Sequence, residues 1–287
     1  MINFLKYWKL YVAISTIVIG VGLYAMVTWG FTYSIDFVGG TNVQYSFDTP
    51  IDELGVREVV ARLEYEIVDI GVHQNEVTMR LSAINEQQEQ ELRQQLSDQY
   101  MSEITIIRSE TVGPVIGAET LQKTGIASII AIIGILLYVT YAFRNLNFAM
   151  AAIVALVHDA LVVVGMYALF SHFLGAQLDT LFVTALLTTM SFSVHDTIVV
   201  FDQIRNYRKR YGNGKIEEYA NRSLTETMVR SLNNSFTIMF MLLALVLLGG
   251  TTIRFFALTL LVGTITGTYS SPFVATPVAV WFEKMRK

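Results

Sequence analysis

Cysteine is absent from the 287 residues, which excludes disulfides, thiolate metal sites and cysteine nucleophiles. Charge is scarce too: 15% of residues are Asp, Glu, Lys or Arg against 53% hydrophobic, and the mean hydropathy of +0.48 is far from that of an ordinary soluble domain. The four histidines, His73, His158, His172 and His195, are scattered without metal-site spacing. No phosphate loop, nucleophile elbow, metal cluster or pair of carboxylates suited to catalysis is found. The chain therefore reads as no enzyme, with no cofactor and no nucleotide or nucleic-acid site. Any energy input has to come from an ion gradient or a partner.

Long apolar runs are what the chain has instead. About 20 residues are needed to cross roughly 30 Å of hydrocarbon. Six segments qualify: Leu10 to Trp29, Thr124 to Phe143, Phe148 to Phe170, Leu178 to Phe201, Asn233 to Leu248 and Phe255 to Phe282. The first follows Lys6 and Lys9 as a signal peptide would. Its run is too long for a typical signal core and no small-residue cleavage site separates it from Ile35 and Asp36, so it reads as a retained anchor.

Basic residues set the expected orientation. Arg205, Arg208, Lys209, Arg210, Lys215, Arg222 and Arg230 crowd a loop at about 203–232; Lys284, Arg286 and Lys287 follow the last span and Lys6 and Lys9 precede the first. The positive-inside rule assigns all of these, and both termini, to the cytoplasm. The segment between the first two spans, 32–118, then lies outside; its fifteen Asp and Glu against five Arg are compatible with that side. The expected division is 1–31 for the N-terminus and first helix, 32–118 for an extracytoplasmic domain, and 119–287 for helices two to six. Lys215 to Val229 has the pattern of an amphipathic helix lying on the membrane surface.

Within 32–118 the periodicity changes. Thr41 to Phe47 is β-like and Ile51 to Leu63 has helical spacing. Glu66 to Val72 and Glu76 to Leu81 alternate around His73-Gln74-Asn75 as a hairpin would. Asn85 to Tyr100 is a polar, Gln-rich helix, and Ile104 to Arg108 a last strand. The order βαββαβ predicts a ferredoxin-like α+β sandwich. The fold class expected is thus an α-helical membrane protein of six transmembrane helices with this α+β domain between helices one and two.

Asp196 is the most informative residue, because it interrupts an apolar span. A carboxylate at the helix centre costs about 2.5–3.5 kcal/mol on insertion scales, so such a group faces a bundle interior and marks an ion or proton route. Nine residues separate it from Arg205, about 13 Å at 1.5 Å per residue, which is near half the hydrocarbon thickness. His158 and Asp159 in the third span reach about the same depth, roughly 17 Å from Asn147. Being adjacent, the two point about 100° apart and cannot both face one partner; Asp159 reads as a supporting group, a structural role for the pair standing equally open. A buried carboxylate that takes up a proton on one side and gives it up on the other can bias a two-state rearrangement, since the membrane potential supplies about 2.3 kcal/mol per charge per 100 mV. The alternatives are a packing aspartate, or a sodium site drawing on Ser191, Ser193 and Thr197.

These residues also carry a resemblance. Asp36-Phe37-Val38-Gly39-Gly40-Thr41 after the first span, Val112-Gly113-Pro114 with Gly117-Ala118-Glu119 before the second, His158-Asp159 in the third, and Ser193-Val194-His195-Asp196-Thr197-Ile198-Val199-Val200-Phe201-Asp202 in the fourth resemble the SecF family. SecF is the smaller membrane subunit of the accessory complex of the bacterial Sec export channel. The resemblance spans roughly Ser34 to Phe282 and places the chain in the resistance-nodulation-division type. It implies a proton-motive-force-driven role in moving or releasing exported, unfolded polypeptide on the outer side of the bacterial inner membrane. The partners implied are SecD, the channel subunits SecY, SecE and SecG, YajC and membrane lipids. It makes Asp196 the proton-responsive aspartate and Arg230 the arginine associated with proton flow, with His195, Asp159 and His158 beside them.

Some positions depart from the family pattern. Ser191, Phe192 and His195 stand where Gly, Tyr and Asn are usual, and Gln203 and Asn206 where Arg and Glu are common. Imidazole titrates near neutrality, so His195 either shares the proton of Asp196 or hydrogen-bonds a neighbouring helix as asparagine would. Asp36, Gly39, Gly40, Gly113 and Pro114 bracket the outer domain, as hinges or as simple turns. Pro272 and Pro277 are expected to bend the sixth span, and Gly263 with Gly267 to let it pack closely. Two other functions share this architecture: half of a proton-coupled exporter of small molecules or lipids, and a non-transporting scaffold of the channel complex.

Overall fold

The computed structural model describes residues 3–143, 145–212 and 214–285, so Arg286 and Lys287 of the basic C-terminal group lie outside the described residues. Two compact units emerge, Tyr33–Gly125 and the helical remainder. The second junction falls at Gly125, beyond the expected Ala118, because Gly117 in the first turn of the following helix packs back on Phe37 and Gly39.

In the helical unit α1 spans Trp8–Thr28. The smaller unit follows with α2 (Ile35–Val38), β1 (Gly40–Phe47), α3 (Glu53–Arg62), β2 (Ile67–His73), β3 (Glu76–Leu81), α4 (Glu86–Tyr100) and β4 (Ile104–Val112). The chain then enters α5 (Pro114–Phe143), α6 (Leu146–Leu174), α7 (Thr180–Tyr211), α8 (Ile216–Leu248) and α9 (Thr251–Ser270). A π-helical turn, Ser271–Ala275, leads into α10 (Thr276–Met285). Among the described residues six stretches, α9 to α10 counted as one, are long and apolar enough to cross a membrane.

The smaller unit is the expected sandwich. Its sheet runs β2-β3-β1-β4, all antiparallel, with Val43 opposite Met79 on one side and Ser109 on the other. Alternation along β1 buries Val43, Tyr45 and Phe47. With Val77, Met79 and Leu81 of β3 they pack against Val56, Val59 and Val60 of α3 and Leu92 and Leu96 of α4. Both helices begin on side-chain caps. Asp52 accepts from the Gly55 N–H at 2.9 Å, and Asn85 and Gln88 form a reciprocal capping box.

Helix lengths in the larger unit correct two expectations. The basic stretch at 203–232 is not a loop: α7 continues to Tyr211 and α8 starts at Ile216. Lys215 to Val229 is likewise no separate surface helix, since α8 runs unbroken for 33 residues to Leu248. The cause is local, as residues 216–248 contain neither glycine nor proline and the Arg-Ser-Leu-Asn-Asn-Ser run is polar without being helix-breaking. Pro272 behaves as expected, because the ladder adjusts around it as a π turn between α9 and α10.

Helix α6 is the centre of this unit. In its most apolar window 61% is buried within the chain, against 11% for α5 and for α8, whose outward faces carry Ile129, Ile130 and Leu137 or Phe240, Leu247 and Leu248. Gly22 of α1 meets Gly165 of α6 so closely that a Cβ there would sit 2.8 Å from the Gly165 Cα, which brings the polar residues of α1 against α6.

Candidate functional site

Six hydroxyls and one acid–base pair meet where α1, α6, α7 and α9 cross. His158 and Asp159 are both buried and bond each other: His158 Nδ1 lies 2.8 Å from Asp159 Oδ1. Each then reaches a different neighbour. His158 Nε2 is 2.9 Å from Ser15 Oγ on α1. Asp159 Oδ2 accepts from the Ser270 hydroxyl of α9 at 2.6 Å and from the Ser193 hydroxyl of α7. A few ångströms further, Tyr269 OH lies 3.4 Å from Ser15 Oγ and donates to the Tyr11 carbonyl at 3.0 Å. Thr197 and Ser271 share a 2.9 Å bond next to the π turn.

Small residues make this convergence possible. Gly267, one turn before Ser271, lies so near α7 that a Cβ on it would be 3.2 Å from the Ser193 Cα, and Gly263 abuts Thr189. The expectation that this glycine pair serves close packing thus acquires an object: it presses Ser270 and Ser193 onto one carboxylate oxygen. With His158, Ser193 and Ser270 all bonded to it, the Asp159 carboxylate ties α6 to α7 and α9.

Asp196 sits elsewhere. It is half-buried on the adjacent face of α7, with exposed His195 beside it and the Ser231 side chain of α8 in hydrogen-bonding range. Both line a cleft of about 20 Å³ between α7, α8 and α9 that Phe192, Ser193, Asn234 and Gly267 help to close, room enough for a water. Arg230 is exposed on α8, one turn before Asn234, and does not line that cleft. The oxygen set weighed for sodium is not assembled around Asp196: Ser191 is exposed, Ser193 turns to Asp159, and Thr197 to Ser271 and the Ser193 carbonyl.

The junction residues belong to the smaller unit. Gly39 and Gly40 have φ of 76° and 126°, and a Cβ on them would fall 2.7 Å from the Pro114 Cα and from the Leu81 carbonyl oxygen respectively. Entry and exit of the domain are thus in backbone contact, with Pro114 opening α5. Asp36 lies in α2, its N–H bonded to Ser34 Oγ at 3.2 Å. Gly113 is sterically open.

The sequence reading missed Ser15, Tyr269 and Ser270. Isolated hydroxyls in apolar helices are common and usually bond their own helix, as Thr264 and Thr266 do here, so only the pairing across helices distinguishes them.

Residues 92–285 match the family described as protein export membrane protein SecD/SecF, C-terminal, and residues 24–51 match the SecD/SecF GG motif. A protein translocase subunit SecF from Thermobaculum terrenum is 39% identical over 99% of this chain and 94% of its own. The chain belongs to the SecF family. A SecDF protein from Thermus thermophilus is 33% identical over 90% of this chain. The crystal structure of SecDF, a translocon-associated membrane protein from Thermus thermophilus, superposes with a TM-score of 0.85 at 32% identity over 99% of this chain. This SecF-family chain spans 39% of that SecDF chain and 35% of the SecDF relative, in both of which a SecF-like part is joined to more protein. The relatives are named as translocase subunits, and the six apolar helices make the chain a multi-pass membrane protein.

Proposed function

We propose that the protein is a proton-motive-force-driven accessory subunit of the Sec translocase, which helps exported polypeptide move or be released on the outer side of the bacterial inner membrane. The observation that carries this reading is Asp196, half-buried within an apolar helix and open to a water-sized cleft. A carboxylate so placed can take a proton from the cleft and become uncharged among helices that otherwise contact hydrocarbon. Exposed His195 lies beside it at the same opening, and Arg230, one turn before Asn234, is a cation on the neighbouring helix.

The coupling energy is a proton gradient, with no bound cofactor. The partner for the exposed faces of α5 and α8 is a SecD chain, in keeping with relatives that carry both parts in one polypeptide. SecY, SecE, SecG and YajC complete the assembly. The basic ends of α7 and α10 favour the cytoplasmic side, with both termini there and the sandwich domain outside.

The test is export of a secreted reporter in cells carrying wild type or Asp196→Asn at matched expression, with and without an uncoupler. Export falling to the level of the deletion while the complex still assembles is expected. Unchanged export would make Asp196 a packing residue and leave the scaffold reading in its place.

A further inference from the structure

We propose that Asp159 and His158 form a second proton-holding site, loaded from the Asp196 cleft through Ser193. The inference rests on the reading of that cleft as the place where protons enter.

Three observations carry it. The first is charge. The pair is buried, and among the described residues neither an arginine nor a lysine pairs with either member. The helices packed around it carry cations, Lys9 on α1, Arg205, Arg208, Lys209 and Arg210 in the last turns of α7 and Arg254 in the first turn of α9. The groups bonded to the pair, however, are the hydroxyls of Ser15, Ser193 and Ser270, and the titratable groups nearest along those helices are Tyr11, His195, Asp196 and Tyr269. With a neutral imidazole the pair carries one uncompensated negative charge; with one more proton it is neutral overall, whether that proton rests on the ring or on the carboxyl.

The second is that the hydrogen-bond network accepts one more proton without moving a heavy atom. The Ser270 hydroxyl has two acceptors in reach, Asp159 Oδ2 at 2.6 Å and the Gly267 carbonyl at 3.3 Å. Turned to the carbonyl, Ser270 becomes the acceptor for a protonated Oδ2. At the other end, a proton on His158 Nε2 points at Ser15 Oγ, whose own hydrogen turns to Tyr269 OH at 3.4 Å; Tyr269 already donates to the Tyr11 carbonyl and so has its oxygen free to accept.

The third is the route. Ser193 is the hydroxyl that both bonds Asp159 and lines the cleft with Asp196. As it gives its hydrogen to Asp159 Oδ2 it takes another from protonated Asp196, directly or through a water in the cleft. One O–H bond breaks and one forms at the serine, and the negative charge moves from Asp159 to Asp196. Loading Asp159 converts a carboxylate that ties α6 to both α7 and α9 into a group with one acceptor fewer, so the proton weakens the lock between these helices.

Isotope-edited infrared spectra of the full-length chain, labelled in its aspartates and assembled with its SecD-type partner in membranes, would read both carboxyls as pH is varied. Two protonated-carboxyl signals from the membrane region are expected: Asp159→Asn loses one and keeps the other, whereas Asp196→Asn loses its own and loses or greatly slows the appearance of the second. Ser193→Ala, which alters no charge and keeps a small side chain, is expected to retain the Asp196 signal and lose or greatly slow the appearance of the second. If Asp159→Asn removes no titrating signal while Asp196→Asn does, the second site is refuted and the Asp196 reading stands. If Asp196→Asn removes no signal, the proton reading of the cleft fails; if it removes its own signal while that of Asp159 appears at the wild-type rate, loading from the cleft is refuted. Unaltered loading in Ser193→Ala refutes the route.

Discussion

Replacing Gly39 by alanine tests whether the junction motif is a steric lock or an ordinary turn. Gly39 has φ 76° and ψ 174°, a region essentially confined to glycine, where another residue is strained by about 1–3 kcal/mol. The added methyl would also lie 2.7 Å from the Cα and 2.9 Å from the nitrogen of Pro114, which are backbone atoms that cannot swing aside like a side-chain tip. Overpacking of that kind costs about 1–3 kcal/mol more. The sum, about 2–6 kcal/mol, is a large part of the roughly 5–15 kcal/mol that holds a small domain folded. Gly71 in β2 is the control, since a Cβ there meets nothing within 4 Å. Native-state hydrogen exchange of β1 and β3 in the intact protein is the assay, because these central strands report the opening of the whole sandwich. Gly39→Ala should lower their protection by at least tenfold and Gly71→Ala should leave it near wild type. Equal protection in the two variants would refute the steric argument and return Gly39 to simple turn chemistry.

Glu283 is nearly buried and accepts from Asn145 at 3.1 Å, Asn147 at 3.0 Å and Arg208 at 3.0 Å, joining the start of α6, α7 and α10. Arg208 is 39% exposed, so the ion pair alone contributes little and most of the loss comes from the amides. Glu283→Ala should cost about 2–4 kcal/mol in unfolding measurements and Glu283→Gln less. Leu92→Ala, in the fully buried core of the sandwich, should destabilise that domain by about 2–5 kcal/mol, read by the same exchange experiment. Burial and the nearby Asp52 carboxylate, to which its hydroxyl donates, push the Tyr100 phenol up to about 12. A raised value in the folded state stabilises below the ordinary tyrosine value and loses that contribution as pH rises through about 12. Spectrophotometric titration should find a tyrosine ionising near 12 that is absent in Tyr100→Phe. The Asp52 carboxyl is held below its ordinary value chiefly by the Gly55 N–H and then by Tyr100, so its contribution is present above the ordinary carboxylate range and is lost as pH falls through the lowered value. Asp52→Asn should flatten the acid limb of the domain's stability profile.

Length and periodicity alone carried the architecture. Apolar runs near 20 residues can hide their backbone from lipid only as helices, and the period-two alternation of Thr41 to Phe47 against the helical spacing of Ile51 to Leu63 dictates a sheet with helices on one face. A lone carboxylate in an apolar span announced itself for the same reason, since a charge facing hydrocarbon is costly enough to stand out in the sequence. Helix ends were less legible: polar residues without glycine or proline do not end a helix, so α7 and α8 extend through a stretch that composition alone marks as a loop. What only the tertiary structure decided is which groups meet. Ser15, Asp159, Ser193 and Ser270 lie on four helices, and the crossing of Gly22 with Gly165 and the contact of Gly267 with α7 bring them to one point. Hydrogen bonds act over about 3 Å. No one-dimensional pattern contains a distance between helices, and so Asp159 could be seen in the chain while its partners could not.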